Sequence, residues 1–150
     1  MRASISRTTW LASSRTTTSR GPVEAKDPGT SAFYDRLLEC LKDPAFRGGD
    51  WQLLECRPAW DGNETRDSFV AFTWTVRGGV RRLVAVNYAD HQSQCYVAMP
   101  WRDLDGRTWR LQDLTGPSVY DRQGSDLTWQ GLYLDMPAWG YHVFAVSPAG

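Results

Sequence analysis

Eight tryptophans in 150 residues are the side chains best suited to a recognisable chemistry. A planar indole laid over the apolar face of a sugar ring is the usual physical basis of carbohydrate binding. Trp60 beside a turn, Trp101 after Pro100 and Trp129 between polar neighbours are placed for exposure, and they are the candidate carbohydrate-binding platforms. Trp74 and Trp109 read differently. Strand alternation puts Trp74 on one face with Val70, Phe72 and Val76, and Trp109 on one with Leu111, so both are expected in the core. Each platform candidate competes with the commoner use of tryptophan as packing.

Hydrolysis of a glycoside would need two carboxylates facing each other across a cleft. Asp90, Asp103, Asp105, Asp113, Asp121, Asp126 and Asp135 are scattered, no spacing pairs any two of them, and turn or surface roles are commoner. No catalytic residue is assigned. Asp103-Leu104-Asp105-Gly106 starts like a calcium loop but lacks the third oxygen ligand and the terminal Glu, so it reads as a turn. His91 falls in a polar turn and His142 in a late strand, without HxxxH or HExxH spacing, and no metal or other cofactor is expected. No GxSxG element marks a serine nucleophile, and the glycines at 78, 79, 106, 116 and 124 mark turns rather than a phosphate loop. Cys40, Cys56 and Cys95 are odd in number and widely spaced, which makes neither a disulfide framework nor a CxxC pattern; reduced, buried thiols are expected. Asn63-Glu64-Thr65 matches a glycosylation sequon, relevant only to a secreted protein.

Length allows one domain plus a tail, and it is short of the roughly 250 residues typical of a (β/α)8 barrel. Formal charge is zero overall. Residues 1–32 hold Arg2, Arg7, Arg15, Arg20 and Lys26 against Glu24 and Asp27, which leaves the remainder net negative and argues against nucleic acid as a partner. No stretch reaches the 18 or so apolar residues of a membrane span. Only Trp10-Leu11-Ala12 are consecutively apolar near the start, so no signal-peptide core is read there, no membrane is expected and the default location is the cytoplasm.

Several elements must position these groups. Residues 1–30 are rich in Ser, Thr and Arg, end in the turn-like Asp27-Pro28-Gly29, and read as a disordered tail; a mitochondrial transit peptide has the same composition. Phe33, Leu37 and Leu41 at four-residue spacing, after a Ser31 cap and before Pro44, predict an amphipathic helix over 32–42 within a segment 31–47. Residues 48–147 then read as strands: 51–56, 69–76, 80–88, 93–98, 107–113, 119–122, 132–134 and 141–146. Arg77-Gly78-Gly79 makes the second and third of these a β-hairpin. Turn signals every 8 to 12 residues predict an all-β, antiparallel Greek-key β-sandwich of about seven to eight strands. Phe69-Val70-Ala71-Phe72 and Tyr141 to Val146 are apolar on both faces, so the helix or a neighbouring domain must cover what the second sheet does not.

Phe33-Tyr34-Asp35-Arg36-Leu37-Leu38, Gly49-Asp50-Trp51, Val84-Ala85-Val86-Asn87-Tyr88, Thr108-Trp109-Arg110-Leu111 with Asp113-Leu114, and the closing run Pro137-Ala138-Trp139-Gly140-Tyr141-His142-Val143-Phe144 follow one another in a telling order. Over about residues 32–146 the chain resembles the C-terminal β-domain, with the last barrel helix, of the α-amylase family of glycoside hydrolases. The resemblance implies that the Phe-Tyr helix closes a catalytic barrel and that a Greek-key sandwich packs against it. The family's catalytic Asp and Glu sit on barrel strands, and none of those motifs precedes Phe33, so the resemblance carries over no catalytic residue.

The expected function is therefore a non-catalytic accessory β-domain of an α-amylase-type enzyme, as a fragment or a stand-alone chain, with a (β/α)8 barrel as partner. The alternative is a stand-alone module binding α-glucan through Trp60, Trp101 and Trp129. A small hydrolase with an unrecognised carboxylate pair is the third reading.

Overall fold

Gly78 and Gly79 both take positive φ, 98° and 92°, the left-handed backbone that glycine enters without penalty. They turn β3 (Phe69–Val76) into β4 (Val80–Asn87) in full antiparallel register, from Phe69 opposite Asn87 to Val76 opposite Val80. This hairpin lies where the sequence predicts it. It supplies two adjacent strands of a six-stranded antiparallel sheet in a computed structural model that describes residues 25–150.

The other strands are β1 (Asp50–Leu53), β2 (Cys56–Pro58), β5 (Ser93–Val97), β6 (Thr108–Asp113), β7 (Val119–Gln123), β8 (Leu132–Met136) and β9 (Tyr141–Pro148). The large sheet runs β1-β3-β4-β9-β6-β7, and a three-stranded sheet runs β2-β5-β8. All pairings are antiparallel, and the last strand fills the gap between β4 and β6, the interleaving that a Greek-key sandwich requires. Leu83, Leu104, Leu111, Leu132 and Phe144, each essentially inaccessible to solvent, form the core between the sheets.

Nine strands appear rather than eight because the predicted strand at 51–56 divides. Leu54 N–H still donates to Ala71 of the large sheet (2.9 Å), whereas the Glu55 carbonyl already accepts from Ala98 beyond β5 (2.9 Å). The chain thus crosses from one sheet to the other at Leu54-Glu55, with the Leu54 side chain buried at the corner.

Helix α1 (Pro28–Cys40) begins earlier than expected. Asp27, not Ser31, is its N-cap: a side-chain oxygen accepts from the Thr30 N–H at 2.6 Å, and Pro28 occupies the first turn, where its missing N–H costs nothing. Asp27-Pro28-Gly29 is therefore a helix start rather than a breaker, and residues 28–30 leave the predicted tail. The remainder of that tail, up to residue 24, lies outside the described residues. A one-turn helix, α2 (Ala45–Gly48), follows. A third helix, α3 (Gly124–Trp129), stands where only a turn was expected. Gly124 makes it fit, since a Cβ there would lie 1.6 Å from the Leu104 carbonyl oxygen.

Candidate functional site

Register decides which side chains leave the core. In the large sheet Ala71, Ala85 and His142 align on the inner face, whereas Phe72, Val84 and Val143 align on the outer one. Trp74 shares a face with Val70, Phe72 and Val76 as predicted, but it is the outer face, so its assignment to the sandwich core is corrected. Phe46 of α2 covers part of it, ring to ring at 4.9 Å. Trp109 is in the core and donates its indole N–H to the Leu104 carbonyl at 2.9 Å.

Outward from Trp74 the cover runs out. Trp51 and Leu53 of β1 lie beside Trp74 and Phe72 in the ladder. Trp51 is 56% and Leu53 58% exposed, with Val70 also exposed nearby. Isolated exposed hydrophobics are ordinary, but this is a row of adjacent apolar side chains on one sheet edge.

Helix α1 adds to the same surface. Phe33, Leu37 and Cys40 form one stripe at i, i+4, i+7 and face the sheet: Phe33 meets Tyr141 edge-on at 5.3 Å, and the Cys40 thiol donates to the Leu114 carbonyl at 3.7 Å. Asp43, just past the helix, receives Arg82 of β4 at 2.6 and 2.7 Å. Tyr34, Leu38 and Leu41 form a second stripe with the same spacing, and all three are exposed. Only Cys40 of the helix is buried. Between helix and sheet a groove of about 700 Å³ remains, lined by Phe33, Leu37, Val84, Val86, Tyr141 and Val143, with Trp139 alongside. The apolar surface of the helix thus extends past the stripe that meets the sheet onto an exposed flank beside it.

A different surface opens between the two sheets, where Tyr120, Arg122, Leu134 and His142 line a cleft of about 500 Å³. His142 Nδ1 lies 2.6 Å from Asp113 Oδ2. The other Asp113 oxygen accepts from the Thr115 N–H (2.9 Å) and hydroxyl (2.7 Å). Burial works to raise the Asp113 carboxyl, and the hydrogen bonds from His142 and Thr115 more than offset it, so the group titrates below the usual carboxylate range. An ionised Asp113 requires the imidazole to carry its proton on Nδ1. That orients a base, but among the described residues no Ser, Thr or Cys hydrogen-bonds to His142, and no nucleophile completes a triad. Asp113 also closes the 113–118 turn through Thr115, which accounts for the pair as a fold element.

The three predicted platforms part ways. Trp60, in the turn after β2, is 56% exposed, and Trp129, at the end of α3, is 81% exposed. Trp101 is 9% exposed, and the expectation of an accessible ring there is corrected. Its N–H donates to the Thr75 hydroxyl at 2.9 Å, and its face covers the buried Arg81 guanidinium, which sits 5.0 Å from the Trp101 centroid and 4.6 Å from that of Trp109. Asp103 caps this stack by pairing with Arg81 at 2.6 Å. That burial follows from a cation-π sandwich between residues 20 and more positions apart, which no local pattern announces. Trp60 and Trp129 stand on separate elements, with no ring contact between them among the described residues.

Asp103-Leu104-Asp105-Gly106 is a turn, with Gly106 at positive φ. His91 is exposed beside Asp90. Asn63 is buried and caps the 3-10 turn Glu64–Ser68, its side-chain oxygen accepting from the Thr65 N–H. Among the described residues no group of three or more His, Cys, Asp or Glu could hold a metal ion, and no helix is long and apolar enough to cross a membrane. Compared with known proteins, the chain matches no family model and no curated protein sequence.

Proposed function

We propose that this β-sandwich is a non-catalytic accessory domain that supports the (β/α)8 barrel of an α-amylase-type glycoside hydrolase. The observation that carries the reading is the pair of apolar stripes on α1. A helix lodged between a barrel and a β-domain needs one stripe for each neighbour. Phe33, Leu37 and Cys40 serve the sheet, and Tyr34, Leu38 and Leu41 are left for a second body. The exposed Trp51-Leu53 edge extends the surface available to it. The sequence resemblance over residues 32–146 supports a barrel as that body.

The test is co-expression with a barrel of this glycoside hydrolase family from which its own β-domain has been removed. A stoichiometric complex with increased soluble yield and α-glucan hydrolysis is expected, and Leu38→Asp should abolish it while leaving the sandwich folded. Absence of any complex with the unmodified chain would sink the reading.

An α-glucan-binding module is the second reading, supported by the nearly bare Trp129 ring. If stacking carries it, Trp129→Ala should weaken malto-oligosaccharide binding by about 1–3 kcal/mol, by analogy with base stacking on aromatic rings. Unchanged affinity in Trp129→Ala and Trp60→Ala alike would remove it.

A further inference from the structure

Edge strand β2 has three residues and pairs on one side only. Its register on β5 sets Cys56 opposite Val97 and Pro58 opposite Cys95. Cys56 and Cys95 are therefore diagonal neighbours on adjacent antiparallel strands, and both pack against the hydrophobic core, so they share the inner face. That diagonal placement on one face makes the two thiols side-chain neighbours across the β2–β5 pair. Cys95 is fully buried and Cys56 is partly exposed. Cys40 stands apart, on the far side of the large sheet, with its thiol on the Leu114 carbonyl.

We propose that Cys56 and Cys95 form a site of reversible oxidative modification, a dithiol that hydrogen peroxide converts to a disulfide, with Cys56 attacking and Cys95 resolving. The asymmetry of the pair sets the roles. Cys56 is the thiol that solvent reaches, and the neighbouring Cys95 thiol favours its thiolate against burial and the nearby Glu55 charge, holding Cys56 below the ordinary thiol range. The same contact and the burial of Cys95 keep its proton in place. The Cys56 thiolate displaces hydroxide from peroxide: an S–O bond forms, the O–O bond breaks, and sulfur is oxidised to the sulfenic acid as peroxide is reduced. The Cys95 sulfur then attacks the Cys56 sulfur. The S–S bond forms, the S–O bond breaks, and the departing oxygen leaves as water with the Cys95 proton. Diagonal neighbours lie roughly 7–8 Å apart and a disulfide needs Cα atoms within roughly 4.4–6.8 Å, so oxidation requires the three-residue β2 to shift along β5, and in the small sheet only its pairing with β5 resists that shift.

The test treats the purified, folded chain with hydrogen peroxide, then denatures, alkylates and maps the cysteines by mass spectrometry. Loss of two of the three thiols is expected, with Cys56 and Cys95 recovered in one linked peptide, Cys40 alkylated, and all three restored by dithiothreitol. In Cys95→Ser the sulfenic acid has no resolving partner, and dimedone should label Cys56. In Cys56→Ser, Cys95 should stay a thiol under the same exposure. Alkylation of both Cys56 and Cys95 after peroxide treatment of the folded chain, or arrest at an unlinked Cys56 sulfinic acid, overturns the proposal. Neither result bears on docking to a barrel, since the pair lies on the smaller sheet.

Discussion

Asn87 shows how much one side chain can hold. Fully buried at the end of β4, its amide nitrogen donates toward the carbonyls of His91, Met136 and Pro137 at 2.9–3.1 Å, and its oxygen accepts from the Ala89 N–H. It ties the β4–β5 turn to the end of β8. Asn87→Ala strands several buried carbonyls at once and should cost about 2–3 kcal/mol of stability in urea unfolding. The sequence marks Asn87 only as the end of a strand, because two of its partners lie some fifty residues away. Asp113 is similarly opaque in sequence, one of the seven aspartates scattered over residues 90–135. Its folded carboxyl titrates below the unfolded value of about 3.9, so the unfolded chain binds the proton more readily. Its contribution is complete above about pH 4 and is lost as pH falls through the lower, folded value. Asp113→Asn should therefore be less stable than the parent at pH 7, with the difference shrinking below about pH 4 in matched thermal melts.

At the level of elements, short-range signals are read most faithfully. The β3–β4 hairpin is legible because two glycines and two alternating runs settle it locally. Gly79→Ala should cost roughly 1–2 kcal/mol, since an L-residue there must adopt positive φ. Measured by thermal unfolding, a change near zero would mean that the turn rearranges. Where the structure departs from expectation, distant partners decide. Leu54 and Glu55 bond to different sheets and split one predicted strand into two. Gly124 reads as turn punctuation until the Leu104 backbone passes so close that only glycine fits. Trp74 follows its predicted alternation, yet alternation alone cannot say which of two faces is inner. The candidate surface on α1 was half visible in the same way: the periodicity of Phe33 and Leu37 is plain, whereas the exposure of Tyr34, Leu38 and Leu41 needs the helix's seat on the sheet.

For the whole molecule, the uncovered apolar surface predicts behaviour in solution. Without a partner, the chain should bind an apolar dye in its native state and associate as concentration rises, and replacing Trp51 and Leu53 with Lys should suppress both. Light scattering across a dilution series would read this, and a dye-silent monomer at all concentrations would count against a docking surface. The topology carries a separate consequence. Of the eight junctions between successive strands, only β3–β4 and β6–β7 stay within a sheet; the other six pass from one sheet to the other. Neither sheet can be completed until most of the chain has found its place, and β9 must enter last in sequence between strands already far apart along it. Such non-local pairing places folding in the millisecond-to-second range, with both sheets lost together in one cooperative transition. During synthesis β1-β3-β4 and β2-β5 could pair once Val97 had emerged, whereas the large sheet would close only once Tyr141–Pro148 had cleared the ribosome.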